Sequence, residues 1–225
     1  MADLLRLLLR VAEKAANVAR LCRQDAHLFQ LLVQEKTGED KNKKFVQDFK
    51  TLADVVIQEM IRHDFPEMSD FIHGEESNKF ENGLGESVAV TVCSTEEETA
   101  KLLATVLDGD QAAAALLAGA IHQDPATIEA TIDGLTVPLK PSELGIWIDP
   151  IDATSQYIEG REEALEEGRL FPSGLHCALV LIGVYLRSTG EPVMGVINQP
   201  FHNKDPGGSR IPTRGKPHDS KSILR

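Results

Sequence analysis

The apolar positions of the chain fall into two rhythms. Over residues 2–34 they recur at helical spacing, through Leu5, Leu8, Leu9, Val11, Ala15, Val18, Ala19 and Cys22, then Leu28, Leu31 and Leu32. That pattern predicts one long helix or two. Residues 51–63 repeat it through Leu52, Val55, Val56, Ile57 and Ile61, with Asp54 among them. A carboxylate on such a face is costly to bury unless it is paired, hydrogen-bonded or metal-bound. A further helix is expected over residues 95–107, where Ser94 and Glu97 have capping-box spacing, and an alanine-rich one over residues 111–121.

The second rhythm belongs to strands. Residues 144–148 form a short apolar run, Phe71 and Ile72 end another, and residues 88–93 alternate loosely. Residues 175–186 and 192–198 are β-branched runs on either side of Arg187, Ser188, Thr189 and Gly190, which predicts a hairpin. Between the elements lie polar stretches: residues 35–44, with Gly38 and lysines 36, 41, 43 and 44, read as a surface loop, residues 128–140 as an irregular connection, and residues 159–168 as an acidic surface insertion. Beyond Phe201 apolar residues nearly vanish, so residues 1–202 are expected to form the folded domain and residues 203–225 a disordered tail. Helices interspersed with strands define an α/β class, with helices layered on sheets.

Composition narrows the function. With 35 acidic against 23 basic side chains in 225 residues, the net charge of -12 repels polyanions and argues against nucleic-acid binding. Cys22, Cys93 and Cys177 are widely spaced and form no zinc or disulfide pattern. Asp3, Arg6 and Arg10 interrupt the N-terminal leucines, so no signal peptide or membrane span is expected and the location is read as cytoplasmic.

Candidate chemistry collects where regular elements end. The run at 144–148 delivers Asp149 and Asp152 around Pro150, and two hard oxygen ligands meeting in a tight turn suit Mg²⁺. Thr154 would stand beside them, and the N–H groups from Ala153 onward would face an anion if they open a helix. Gly74 is followed by Glu75 and Glu76, and Asp54 supplies a third carboxylate segment. Lys41, Lys43 and Lys44 are the nearest cations to attract a phosphorylated ligand if their loop folds over the site.

Three segments carry a resemblance. Phe-Lys-Thr-Leu-Ala-Asp at 49–54, Gly-Glu-Glu-Ser at 74–77 and Trp-Ile-Asp-Pro-Ile-Asp-Ala-Thr at 147–154 resemble, in order, the first motifs of the lithium-sensitive, magnesium-dependent phosphomonoesterases of the inositol monophosphatase superfamily. Residues 10–17, 93–100 and 195–201 resemble the branch acting on inositol polyphosphates, and the likeness covers roughly residues 1–206. The resemblance implies a sandwich of helices and sheets. It implies that Glu75, Asp149 and the Ile151 carbonyl hold one Mg²⁺, that Asp149 and Asp152 contribute to a second in a set of two or three, and that Li⁺ inhibits by taking a metal position. Asp54 would hydrogen-bond Thr154 or help hold metal, and Glu75 with Thr154 would orient and deprotonate the attacking water. Asp152 and the amides of Ala153 and Thr154 would bind the substrate phosphate.

The implied reaction removes the 1-phosphate of inositol 1,4-bisphosphate and inositol 1,3,4-trisphosphate in phosphatidylinositol signalling, with no obligate protein partner. The family has glycine or serine where this chain has Ala153. The later W-D-x-A-A motif of the family has no counterpart, since Trp147 is the single tryptophan. A chain lacking the family's C-terminal half is therefore expected. A catalytically inactive fragment and a phosphatase for 3′-phosphoadenosine 5′-phosphate stand as alternatives.

Overall fold

The structure, a computed structural model, describes residues 2–24, 29, 32–36, 48–125, 140–161, 171–202 and 220–223. Helix α1 (Ala2–Gln24) buries the positions that its spacing singled out, from Leu5 to Cys22. Helix α2 (Leu52–Asp64) begins at Thr51, whose hydroxyl accepts from the Asp54 N–H while the Asp54 carboxylate accepts from the Thr51 N–H. Helices α3 (Glu96–Val106) and α4 (Gln111–His122) form a helical hairpin, and α4 packs on α1.

One five-stranded sheet lies under α1 and α2. Its order is β3 (Ile72–Gly74), β6 (Leu144–Asp152), β7 (Leu179–Leu186), β8 (Pro192–Asn198) and β9 (Ser220–Ile223), with β3 parallel to β6 and the other pairs antiparallel. Register aligns Ile148 with Ile182 and Ile182 with Val196, so one apolar row faces the helices. Alternation sends Trp147 to the opposite face, where it is 56% exposed. Two small antiparallel pairs, β1 (Val33–Glu35) with β2 (Phe49–Thr51) and β4 (Lys79–Glu81) with β5 (Ser87–Ala89), complete the fold. The result is the expected α/β class, helices layered on sheet.

Several boundaries differ from expectation. Residues 33 and 34, expected in helix, and Glu35, expected in a loop, are strand, because pairing with β2 outweighs the helical spacing of the leucines before them. Residues 66–71 form a 3-10 turn, so β3 starts at Ile72 instead of ending there. The strand expected over residues 88–93 is limited to β5. Helix α3 is capped by Thr95, whose hydroxyl accepts from the Glu98 N–H, one residue later than the Ser94 box. A 3-10 turn at Leu175–Cys177 precedes β7. Residues 220–223, placed by the sequence in a disordered tail, pair with β8 and extend the sheet. Lys41, Lys43 and Lys44, most of the 128–140 connection, residues 162–168 of the acidic insertion and residues 203–219 lie outside the described residues. No helix among the described residues is long and apolar enough to cross a membrane.

The inner end of α1 is tied to the elements beneath it. Arg20 pairs with Glu13 at 2.6 Å and donates to the Pro200 carbonyl, and Glu13 also accepts from Asn198. The Tyr157 hydroxyl donates to the Ala19 carbonyl, and Arg23 donates to that of Ile158. Both residues belong to the short helix α5 (Thr154–Glu159), which follows β6 and walls the site.

Candidate metal and phosphate site

Strand β6 would by alternation send residues 149 and 152 to opposite faces. A bulge prevents this: Asp149 stands opposite Leu181 and Asp152 opposite Leu179, so two residues of β6 face one of β7 between them. The chain then turns at Ala153, in the left-handed region with φ 61° and ψ 48°, and enters α5. Thr154 donates its hydroxyl to the Ile151 carbonyl at 2.9 Å. These features and the parallel pairing of β3 with β6 bring Glu75, Asp149, Ile151, Asp152, Ala153 and Thr154 around one cavity of about 450 Å³, with Asp48 and Phe49 on its rim.

Asp54 does not line this cavity. Its Oδ2 accepts from the Thr51 N–H at 2.7 Å and the Thr51 hydroxyl at 2.8 Å. The expected hydrogen bond to Thr154 is not made, because the third residue of α2 is committed to capping its own helix. Ala153 also differs from expectation: its N–H donates to Asp152 Oδ1 at 2.9 Å, so the amides left for an anion begin at Thr154.

The sequence missed Lys36, which looked like one cation of a surface loop. Its ammonium is buried and stands 2.5 Å from Glu76, 3.3 Å from Glu75 and 3.6 Å from Asp48. Its place within a polar run gave no sign of this; the pairing of β1 with β2 turns it inward. The adjacent glutamates divide: the Glu76 side chain is buried, while that of Glu75 is 51% exposed at the cavity. Lys50 donates to Ser77 and to the Lys79 carbonyl, fixing the chain beyond them.

Negative charge exceeds positive in this corner. Burial, then the charges of Glu75, Asp152 and Glu76, push Asp149 up to about 7. Burial, then Glu76, push Asp54 up to about 8 against the hydrogen bonds from Thr51. Burial acts to lower Lys36, but the bond and charge of Glu76, with Glu75 and Asp48, outweigh it and raise the ammonium. Among the described residues no three His, Cys, Asp or Glu side chains are gathered closely enough to hold an ion as they stand. The donor set nonetheless fits a hard divalent cation: carboxylates and a carbonyl line one cavity, and their mutual repulsion is what a cation relieves.

The carboxylate-lined cavity thus opens at the carboxyl end of β6 in a layered α/β sheet, and sequence comparison supplies the family. The inositol monophosphatase family model matches residues 4–211, and the chain belongs to that family. It is similar to inositol polyphosphate 1-phosphatase of Homo sapiens, 52% identical over 214 residues, which cover 93% of this chain and 54% of the relative. The Mus musculus protein of the same name is 51% identical over 209 residues, covering 91% of this chain and 53% of the relative. Similarity to 3′(2′),5′-bisphosphate nucleotidase 1 of Homo sapiens is 35% over 73 residues, 32% of this chain and 19% of the relative. The chain thus spans about half the length of the first two relatives.

Proposed function

We propose that this cavity binds Mg²⁺ and a phosphate monoester, and that it is the metal and phosphate site of a lithium-inhibited phosphatase. Its substrates are read as inositol 1,4-bisphosphate and inositol 1,3,4-trisphosphate, with removal of the 1-phosphate. The observation carrying the reading is the shared cavity of Glu75, Asp149, Ile151, Asp152 and Thr154, drawn from two segments far apart in sequence. The longer similarity to inositol polyphosphate 1-phosphatase favours the inositol substrate over a bisphosphate nucleotide.

Glu75, Asp149, Asp152 and the Ile151 carbonyl would hold the cations, with Asp54 adding charge from behind instead of coordinating. When bound, Mg²⁺ supplies charge neutralisation of the phosphate and acidifies the attacking water. The Thr154 hydroxyl has given its hydrogen to Ile151, so its oxygen is free to accept from that water and orient it. Glu75, half exposed in the same cavity, takes the water's proton. The first amides of α5 would receive phosphate oxygens.

The test is Mg²⁺-dependent phosphate release from inositol 1,4-bisphosphate by the purified chain, with and without Li⁺, beside Asp149→Asn. Release that requires Mg²⁺, falls with Li⁺ and is lost in the variant supports the reading. Release indistinguishable from the variant means that the motifs of this chain are inactive by themselves.

A further inference from the structure

Gln58 stands on α2 one turn beyond Asp54, on the same helix face and fully buried. Its side-chain amide grips the main chain of Glu76 at two points: Nε2 donates to the Glu76 carbonyl at 2.6 Å, and the Glu76 N–H donates to Oε1 at 3.3 Å. To do so the amide passes over the α-carbon of Gly74, where a Cβ would lie 1.7 Å from Gln58 Oε1. A Cβ there would force the Gln58 amide to shift. Held by both bonds, the Glu76 main chain is fixed and its carboxylate meets Lys36 at 2.5 Å; Glu75, beside it in the bend that follows β3, reaches the same ammonium at 3.3 Å and lines the cavity.

We propose that Gln58 is a positioning residue for the Glu75 carboxylate, aiming it at the cation site through the Glu76 main chain. The inference rests on the cation-site reading above. A buried amide serving packing alone would affect folding stability; one that aims a ligand affects cation affinity as well. Outer-shell partners of this kind are worth about 10- to 100-fold in metal affinity.

The experiment follows the melting temperature of the full chain against Mg²⁺ concentration, together with hydrogen exchange at the Glu76 amide. Gln58→Met keeps length and bulk but removes both bonds, so exchange at Glu76 speeds up and the Mg²⁺ midpoint rises about 10- to 100-fold. Gly74→Ala displaces the amide and raises the midpoint likewise. Combining Gly74→Ala with Gln58→Ala relieves the clash, so the double variant melts like Gln58→Ala alone while its Mg²⁺ midpoint stays high. If Gln58→Met exposes the Glu76 amide yet leaves the Mg²⁺ midpoint unchanged, the positioning role is overturned. If the wild-type chain shows no Mg²⁺-dependent rise, the cation-site reading falls and the assignment with it.

Discussion

Removing an ammonium enclosed by carboxylates leaves an uncompensated charge, and Lys36 is placed to show it. Its partner Glu76 is as buried as it is, with both side chains 4% exposed. Lys36→Met is therefore expected to cost about 3–5 kcal/mol at neutral pH. Burial already holds Glu76 above the usual carboxylate range, and losing Lys36 raises it further. The deficit exists while Glu76 is ionised, so it shrinks as pH falls and folded Glu76 takes up a proton. Urea unfolding at pH 7 and pH 5 checks this, and Glu76→Gln added to Lys36→Met should recover most of the loss at pH 7. At Ala153 the backbone demands a conformation that an alanine Cβ opposes. Ala153→Gly is expected to raise stability by about 1 kcal/mol, less the entropy glycine adds to the unfolded chain, read as a higher urea midpoint.

At the scale of elements, α2 couples folding to the site. Thr51→Ala removes the cap and should cost about 0.5–2 kcal/mol, measurable by thermal or urea denaturation. It also takes one of two hydrogen bonds from the Asp54 carboxylate, so Asp54 should titrate higher still by carboxyl NMR. What the sequence disclosed follows the same logic. Helices α1 and α2 were legible because a long periodic apolar pattern marks each, although the fold buries α2 on every side from Leu52 to Ile61. The carboxylates that follow β3 and end β6 were legible as candidate chemistry because such residues cluster directly after apolar runs. The committed state of Asp54 was within reach of the sequence, since its partner Thr51 stands three residues before it, but went unread. Lys36 and Gln58 were not legible, because each depends on a partner distant in sequence of which local spacing carries no record. Strand β9 was hidden for the same reason, since only the edge of β8 defines it.

Across the whole molecule, the crowded carboxylates predict how protons and cations compete. Burial and the neighbouring carboxylates push folded Asp149 up to about 7 and Asp54 up to about 8, well above the ordinary aspartate range. A group raised on folding favours the folded state below its unfolded pKa, and that contribution is lost as pH rises through the folded value. Without metal, wild type and Asp149→Asn should therefore melt alike below about pH 4, and wild type should melt lower at pH 8. Millimolar Mg²⁺ should reverse the order at pH 8, since it stabilises only the chain that keeps the Asp149 carboxylate. Melting curves at the two pH values, with and without Mg²⁺, decide it.

The parallel pairing of β3 with β6 bears on the order of assembly. Ile72 meets Ile146 across a long span of chain, whereas β6, β7 and β8 are joined by shorter connections. Loop-closure entropy makes that parallel contact a late event in folding, after the antiparallel meander has formed. Glu75 reaches Asp149 only through it, so the cavity is absent from the transition state if that order holds. Mg²⁺ should then slow unfolding in stopped-flow denaturant jumps and leave the refolding rate unchanged. The ion would act as a latch on a finished fold, with no part in nucleating it.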